Sequence, residues 1–248
     1  MKYKGYLICT DLDGTFAVTE ENIQAIKMFQ AEGGLFTIAT GRNVSYCDEY
    51  FSKLEMSPNA PAVMCNGSVI YDYAKDEIIK EHYLPESAYE QFLAIAEKFD
   101  VRLRFAQRDA SPEKEHVFPL ESECTSDTSH FYKGVWHTLD NMEALEPYIY
   151  EHLQDSFELS KSCSSLIEAN PKGISKSSGT LFVKEYTKSH TLICVGDYGN
   201  DIPMLKTADI SYAVENAEDY VKAAADRITV NWKESAIANI IKDLGELK

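Results

Sequence analysis

The chain has 248 residues, enough for one large domain or two modest ones around a sizeable core. Its 24 lysines and arginines stand against 40 aspartates and glutamates, a formal charge of -16, which argues against a nucleic-acid groove and against docking on an anionic membrane. The first apolar run stops at Asp11, too short for a signal-peptide core, and no stretch approaches the length of a membrane span, so a cytoplasmic protein is the expectation.

From the N-terminus, "YLIC" reads as a short buried strand that runs directly into "TDLDGT". Side chains alternate between the faces of a strand, so Asp11 and Asp13 are expected on one side, where two bare carboxylates would repel. A cation or a phosphorylation chemistry would give such a pair a purpose; a polar turn at Asp13-Gly14 is the plainer alternative. Glu20 and Glu21 open a helix whose apolar face starts at Ile23 and Ile26, and Gly33-Gly34 stops it. "LFTIAT" then gives a second strand and "APAVMCNG" a third, the alternation of a βαβ unit with a parallel sheet.

The region from about residue 84 to 170 differs, with more charge and histidine, helical stretches near 86–99 and 141–154, and alternating strands such as "VRLRF" and "SSLIEA". It reads as an α+β insertion with its own small sheet. The βαβ alternation returns in "TLICVGD", "DISYAV" and "DRITV", with a last helix over 235–244. The fold class expected is therefore α/β: a Rossmann-like parallel-sheet core, residues 1–83 and 176–248, interrupted by an α+β cap domain, residues 84–175.

Ligands of open α/β sheets bind at the carboxyl ends of the strands, so what each strand ends with matters. The first ends in Asp11 and Asp13, the second in Thr40-Gly41-Arg42, and "TLICV" ends in "GDYGND", residues 196–201. Carboxylates, a hydroxyl and glycine-freed amides gathered on one edge suit Mg²⁺, a hard cation that takes oxygen ligands and a substrate phosphate.

In order, "DLDGT", "ATGR", "GISK" and "GDYGND" resemble the four motifs of the haloacid dehalogenase superfamily, and "CNGS" with the large insertion resembles its Cof-like subgroup with a class IIB cap. The resemblance spans essentially the whole chain. It implies that Asp11 attacks phosphorus to form an aspartyl-phosphate, that Asp13 protonates the leaving oxygen and then activates water, that Thr40 holds the transferring phosphoryl group, and that Lys176 is the motif lysine. It further implies Mg²⁺ held by Asp11, the backbone carbonyl of Asp13, and Asp197, with Asp201 in support. Gly41, Arg42, Asn66 and Asn200 fall on the substrate side. Phosphoryl transfer asks chiefly for charge compensation and positioning, which fits these residue types independently.

Two departures from the pattern stand out. The glycine that commonly follows the lysine is delayed to Gly179, which leaves Lys172 as a rival, and Ser235 stands where relatives often have glycine, in what is expected to be a surface loop. Plainer alternatives stand beside several residues. Arg42 can be a solvated charge, Asn66 a simple turn, and Arg102 and Arg104 solvent-facing partners of buried Val101, Leu103 and Phe105; Glu168 is open between solvent and substrate. The six cysteines (9, 47, 65, 124, 163, 194) contain no C-x-x-C pair and read as reduced thiols, and the six histidines show no metal-ligand spacing. The expected activity is a Mg²⁺-dependent phosphatase acting on a small phosphorylated metabolite, such as a sugar phosphate, with no nucleic-acid or membrane partner. A phosphomutase of the same superfamily and a non-catalytic phosphometabolite-binding protein are the alternatives. Substrate identity and oligomeric state are not legible.

Overall fold

In the computed structural model, residues 1–52, 56–107, 116–118 and 130–246 are described. In chain order the first part contains β1 (Tyr6–Thr10), α1 (Glu20–Ala31), β2 (Leu35–Ile38), α2 (Val44–Ser52), β3 (Ala62–Met64), β4 (Val69–Asp72) and β5 (Glu77–Glu81). The middle holds α3 (Ala88–Phe99), β6 (Arg102–Gln107), β7 (His116–Phe118), β8 (Phe131–His137), α4 (Met142–Leu153), β9 (Phe157–Cys163) and β10 (Leu166–Pro171). The return contains α5 (Lys176–Thr187), β11 (Thr191–Gly196), α6 (Ile202–Thr207), β12 (Ile210–Ala213), α7 (Asp219–Lys222), β13 (Arg227–Ile228) and α8 (Ala236–Glu246).

The first and last parts build one parallel sheet in the order β13-β12-β11-β1-β2. Its central strand β1 pairs Ile8 with Phe36 on one side and Ile193 on the other, and all three are fully buried, as a strand covered on both faces requires. The local signals are legible in the caps. Thr19 accepts from the Asn22 N–H at 3.2 Å to start α1, and its hydroxyl meets that of Ser235 at 2.7 Å. Ser235 is buried in the left-handed conformation that opens α8, so the surface loop expected there is instead a packed junction between α1 and α8. The hairpin β4-β5 was not legible as strands. It pairs antiparallel with β3, which meets the parallel sheet in a bridge between Ala39 and Val63.

The middle part forms a five-stranded antiparallel sheet, β7-β6-β8-β10-β9, so the fold is the expected α/β core with an α+β insertion. Alternation sorts its residues. Leu103, Phe105, Trp136 and Ile167 lie under α3 and α4 in a separate apolar cluster with Phe92, Leu145 and Phe157. Arg104, Lys133, Val135, Glu168 and Asn170 occupy the opposite face, turned to the parallel sheet.

Gly67 brings the turn after β3 close against the start of α5. Its φ of +101° excludes most side chains, and a Cβ there would sit 2.2 Å from the Ser175 carbonyl oxygen, the residue that caps α5. Gly67→Ala is accordingly expected to lower the melting temperature by several degrees, on a scale of about 2–4 °C per kcal/mol for a chain of this size; thermal denaturation checks it, and an unchanged melting temperature would contradict the contact.

Candidate active site

β1 ends at Thr10, and residues 12–15 form a turn, so Asp11 and Asp13 are not alternate positions of one strand. The carboxylates diverge. Asp11 is buried at the sheet edge, whereas Asp13 is exposed and accepts both arms of the Arg42 guanidinium, Nε at 2.9 Å and Nη2 at 3.1 Å. The Arg42 guanidinium also lies 4.2 Å from the centre of the Tyr46 ring. Both aspartates line one cavity of about 600 Å³ together with Gly41, Arg42, Asp197 and Asn200.

Ser175 caps α5 in a reciprocal pair with Ser178, which aims Lys176 into the core at the first helical position. Lys176 is 1% exposed and donates to Asp11 Oδ1 at 2.6 Å and Asp201 Oδ1 at 2.8 Å. Lys172, the rival lysine, instead reaches the Gln154 carbonyl near the surface. Gly179 is one turn into the helix, where it passes closely over Val63.

Asp201 accepts from the backbone N–H groups of Asp197 at 2.9 Å and Tyr198 at 3.2 Å, so its second oxygen folds the "GDYGND" turn. Asp197 accepts from the Thr15 hydroxyl at 3.0 Å. One oxygen from each of Asp11, Asp197 and Asp201 lies within 4.8 Å of the other two. Burial, and then the neighbouring Asp201 and Asp197 charges against the opposing Lys176, hold the Asp11 carboxyl well above the usual range. Burial and Asp201 push Asp197 up to about 6. Lys176 is raised in turn, because the two carboxylates outweigh its own burial. Three carboxylates against one ammonium leave an excess of negative charge at the site. An all-oxygen donor set of this kind fits a hard divalent cation, with Asp11 Oδ2 and Asp197 Oδ2 free of protein donors among the described residues.

Thr40 is buried beside the site, and its hydroxyl accepts from the Arg42 N–H at 3.1 Å. Asn66 is buried in a turn laced to it, with Cys65 N–H on the Arg42 carbonyl at 2.9 Å and Asn66 N–H on the Thr40 carbonyl at 3.0 Å. Glu168 is 3% exposed and faces the site, and the sequence reading missed its partner Lys133, 6% exposed and ion-paired with it. The signal was available: a lysine inside the apolar strand "FYKGVWH" is anomalous at a position alternating with Phe131 and Val135. Arg104 lines the same cavity while Arg102 is exposed, so the two arginines differ although they share a strand. Cys9, Cys47, Cys65 and Cys194 are buried cysteines outside any disulfide and Cys163 is a partly exposed one, whereas Cys124 lies outside the described residues.

Among the described residues no helix is long and apolar enough to cross a membrane. The family model for haloacid dehalogenase-like hydrolases matches residues 8–241. The chain is 26% identical over 246 residues to 5-amino-6-(5-phospho-D-ribitylamino)uracil phosphatase YcsE of Bacillus subtilis, covering 95% of this chain and 94% of that one. It is 24% identical over 267 residues to pyridoxal phosphate phosphatase YbhA of Escherichia coli, covering 95% and 97%. In structure it is similar to a haloacid dehalogenase-like hydrolase from B. subtilis, with a TM-score of 0.82 at 21% identity over 95% of this chain and 98% of that one. It is also similar to the subclass IIB sugar phosphatase BT4131, with a TM-score of 0.80 at 21% identity over 97% and 99%. With a family model covering nearly all of its length, the chain belongs to the haloacid dehalogenase-like hydrolase family, in the Cof-like subgroup that its motifs resemble.

Proposed function

We propose that the protein is a Mg²⁺-dependent phosphatase that hydrolyses a small phosphomonoester, of the sugar-phosphate kind, through a phosphoryl group carried on Asp11. The observation that carries this reading is the buried Asp11 carboxylate held by Lys176 at 2.6 Å beside Asp197, in a cavity that also admits Asp13. Relatives whose names specify a ribityl phosphate and pyridoxal phosphate support a compact phosphorylated substrate. We assign residues 1–83 and 176–248 to the catalytic core and 84–175 to the cap.

Asp197, the backbone carbonyl of Asp13 and the Asp11 carboxylate, through the oxygen that does not attack phosphorus, would hold the Mg²⁺, whose chemistry is to neutralise phosphoryl oxygens and fix their orientation. Lys176 holds the Asp11 side chain in place, and its charge compensates the phosphoryl group as it arrives. The free Asp11 oxygen attacks phosphorus while the bond from phosphorus to the leaving oxygen breaks, and Asp13, parted from Arg42 and carrying a proton from solvent, gives that oxygen its proton. Asp13, then a carboxylate, takes a proton from a water whose oxygen attacks phosphorus, freeing inorganic phosphate and Asp11. Arg42 holds Asp13 in a fixed orientation until substrate arrives, and the Thr40 hydroxyl and the Gly41 and Asn200 positions face the phosphoryl group. The excess of negative charge on the protein supports a small-molecule substrate over nucleic acid.

The test is phosphate release across a panel of phosphorylated metabolites, with Mg²⁺ and after chelation. Release with Mg²⁺ and its loss on chelation are expected. Mg²⁺ should also raise the melting temperature without substrate, since a ligand at about 100 times its Kd stabilises by about 2.7 kcal/mol. Full activity after exhaustive chelation, or a melting temperature indifferent to Mg²⁺, would contradict the metal assignment.

A further inference from the structure

The carboxylates that follow β1 are held in different ways. Asp11 is buried and fixed by Lys176, whereas the Asp13 and Arg42 side chains that pair with each other are 58% and 43% exposed. Ion pairs open to water hold one geometry poorly, because the attraction is screened and two flexible side chains must be ordered together. A group that transfers a proton at a defined atom needs a fixed starting place, since a displacement of about 1 Å can cost about 10²-fold in rate. The pair needs a further support.

The first turn of α2 supplies one. The Arg42 backbone is pinned on both sides, its N–H donating to the Thr40 hydroxyl at 3.1 Å and its carbonyl accepting from the Cys65 N–H at 2.9 Å. Asn43 Oδ1 then accepts from the Tyr46 N–H at 2.9 Å, a side-chain cap that starts the helix with Tyr46 in its first turn. Helical side chains lean toward the N-terminus of their helix, so the ring falls back over the residue before the cap. The Arg42 guanidinium accordingly lies 4.2 Å from the ring centre while its Nε and Nη2 reach the two Asp13 oxygens at 2.9 and 3.1 Å. A planar fork laid against a flat ring, with its edge on both carboxylate oxygens, has few orientations left. Asp13, Arg42 and Tyr46 all line the cavity of the site.

We propose that Tyr46, which stands outside the four motifs, is a positioning residue of the reaction: its ring seats the Arg42 guanidinium, and the seated guanidinium sets the place from which Asp13 begins proton transfer. The proposal rests on the phosphomonoesterase reading and deepens it, with Tyr46 acting through Arg42 rather than on the phosphoryl group.

The experiment compares kcat/KM for p-nitrophenyl phosphate, whose leaving group needs little protonation, with kcat/KM for a hexitol phosphate, whose leaving oxygen needs a proton. The parent protein is measured beside Tyr46→Phe, Tyr46→Leu, Arg42→Met and the double variant Tyr46→Leu/Arg42→Met. Both substrates are read on one preparation, so a loss of folded protein leaves their ratio unchanged. Tyr46→Leu should lower the hexitol phosphate value about 2- to 5-fold more than the nitrophenyl value, the scale of a cation over a ring at an exposed site. Tyr46→Phe keeps the ring face and should keep the parent ratio. Arg42→Met should lower the ratio at least as far as Tyr46→Leu, and adding Tyr46→Leu to it should change the ratio no further. Arg42 is also observed directly through its Nε–H nitrogen-15 resonance, assigned by its absence in Arg42→Met. Exchange of that proton with water should be slow in the parent and in Tyr46→Phe, and faster in Tyr46→Leu. An unchanged ratio in Tyr46→Leu, a full further loss in the Arg42→Met background, or an Nε–H as protected without the ring as with it would overturn the proposal. If the resonance follows this pattern while the parent protein releases phosphate from no ester, the phosphomonoesterase reading fails and the hold of the ring on Arg42 stands. If phosphate is released and the ratio stays unchanged in Tyr46→Leu, the positioning role alone fails.

Discussion

Asp11→Asn is expected to abolish phosphate release, by about 10⁴-fold or more on the scale of a lost catalytic nucleophile, while the protein melts at the same temperature or higher. The amide keeps the shape of the side chain but cannot attack phosphorus as an anion. The stability half follows from the raised Asp11 carboxyl. A carboxyl whose folded pKa lies above its unfolded value favours the neutral form in the fold, so above the unfolded pKa its charge works against stability. Asparagine removes that charge along with the Lys176 attraction, and burial is the larger influence of the two. Steady-state phosphate release and metal-free thermal denaturation of the same preparation check both halves. A near-normal rate removes Asp11 from the chemistry, and a large drop in melting temperature would make its role structural.

Lys176→Met should be damaging in both respects. Its ammonium is the only cation hydrogen-bonded to the Asp11 and Asp201 carboxylates among the described residues, and methionine would leave both uncompensated in a buried setting. Breaking a buried pair by removing one partner costs about 3–5 kcal/mol, which for a chain of this length lowers the melting temperature by about 10 °C. Lys172→Met, at the rival position, should change it little, because that lysine sits near the surface on backbone carbonyls. Comparing the two melting temperatures and the two rates is decisive. A larger effect at Lys172 would reverse the assignment.

Local chemistry made much of this legible in advance. The parallel strands were readable because each is an apolar run closed by an amphipathic helix, and the strand ends carried the carboxylates and the hydroxyl to one edge. The hairpin β4-β5 was not, since "EIIKE" has too little alternation to separate from a loop and its pairing with β3 depends on contacts across the chain. The reading of Asp11 and Asp13 as alternate residues of one strand failed because β1 ends at Thr10 and the following turn carries Asp13 to Arg42, although both aspartates line the same cavity. Lys133 was missed for another reason. Its partner Glu168 lies 35 residues away on a strand that becomes its neighbour only when the antiparallel sheet closes, and no spacing rule connects them. Ser235 shows the converse case, where a departure from a glycine pattern is accommodated by a hydroxyl contact to Thr19 that the sequence does not advertise.

The covalent step on Asp11 is the claim on which the functional reading turns, and a rapid-quench measurement on the Asp13→Asn protein tests it directly. With p-nitrophenyl phosphate the leaving group needs little protonation, so the first half-reaction proceeds without Asp13, whereas hydrolysis of the phosphorylated protein lacks its base. A burst of nitrophenolate equal to the enzyme concentration is predicted, with the phosphoryl group recovered on the peptide carrying Asp11 and reducible by borohydride to homoserine at that position. A burst with the phosphoryl group on any other residue, or linear turnover with no protein-bound phosphate at a rate matching the parent protein, would contradict it.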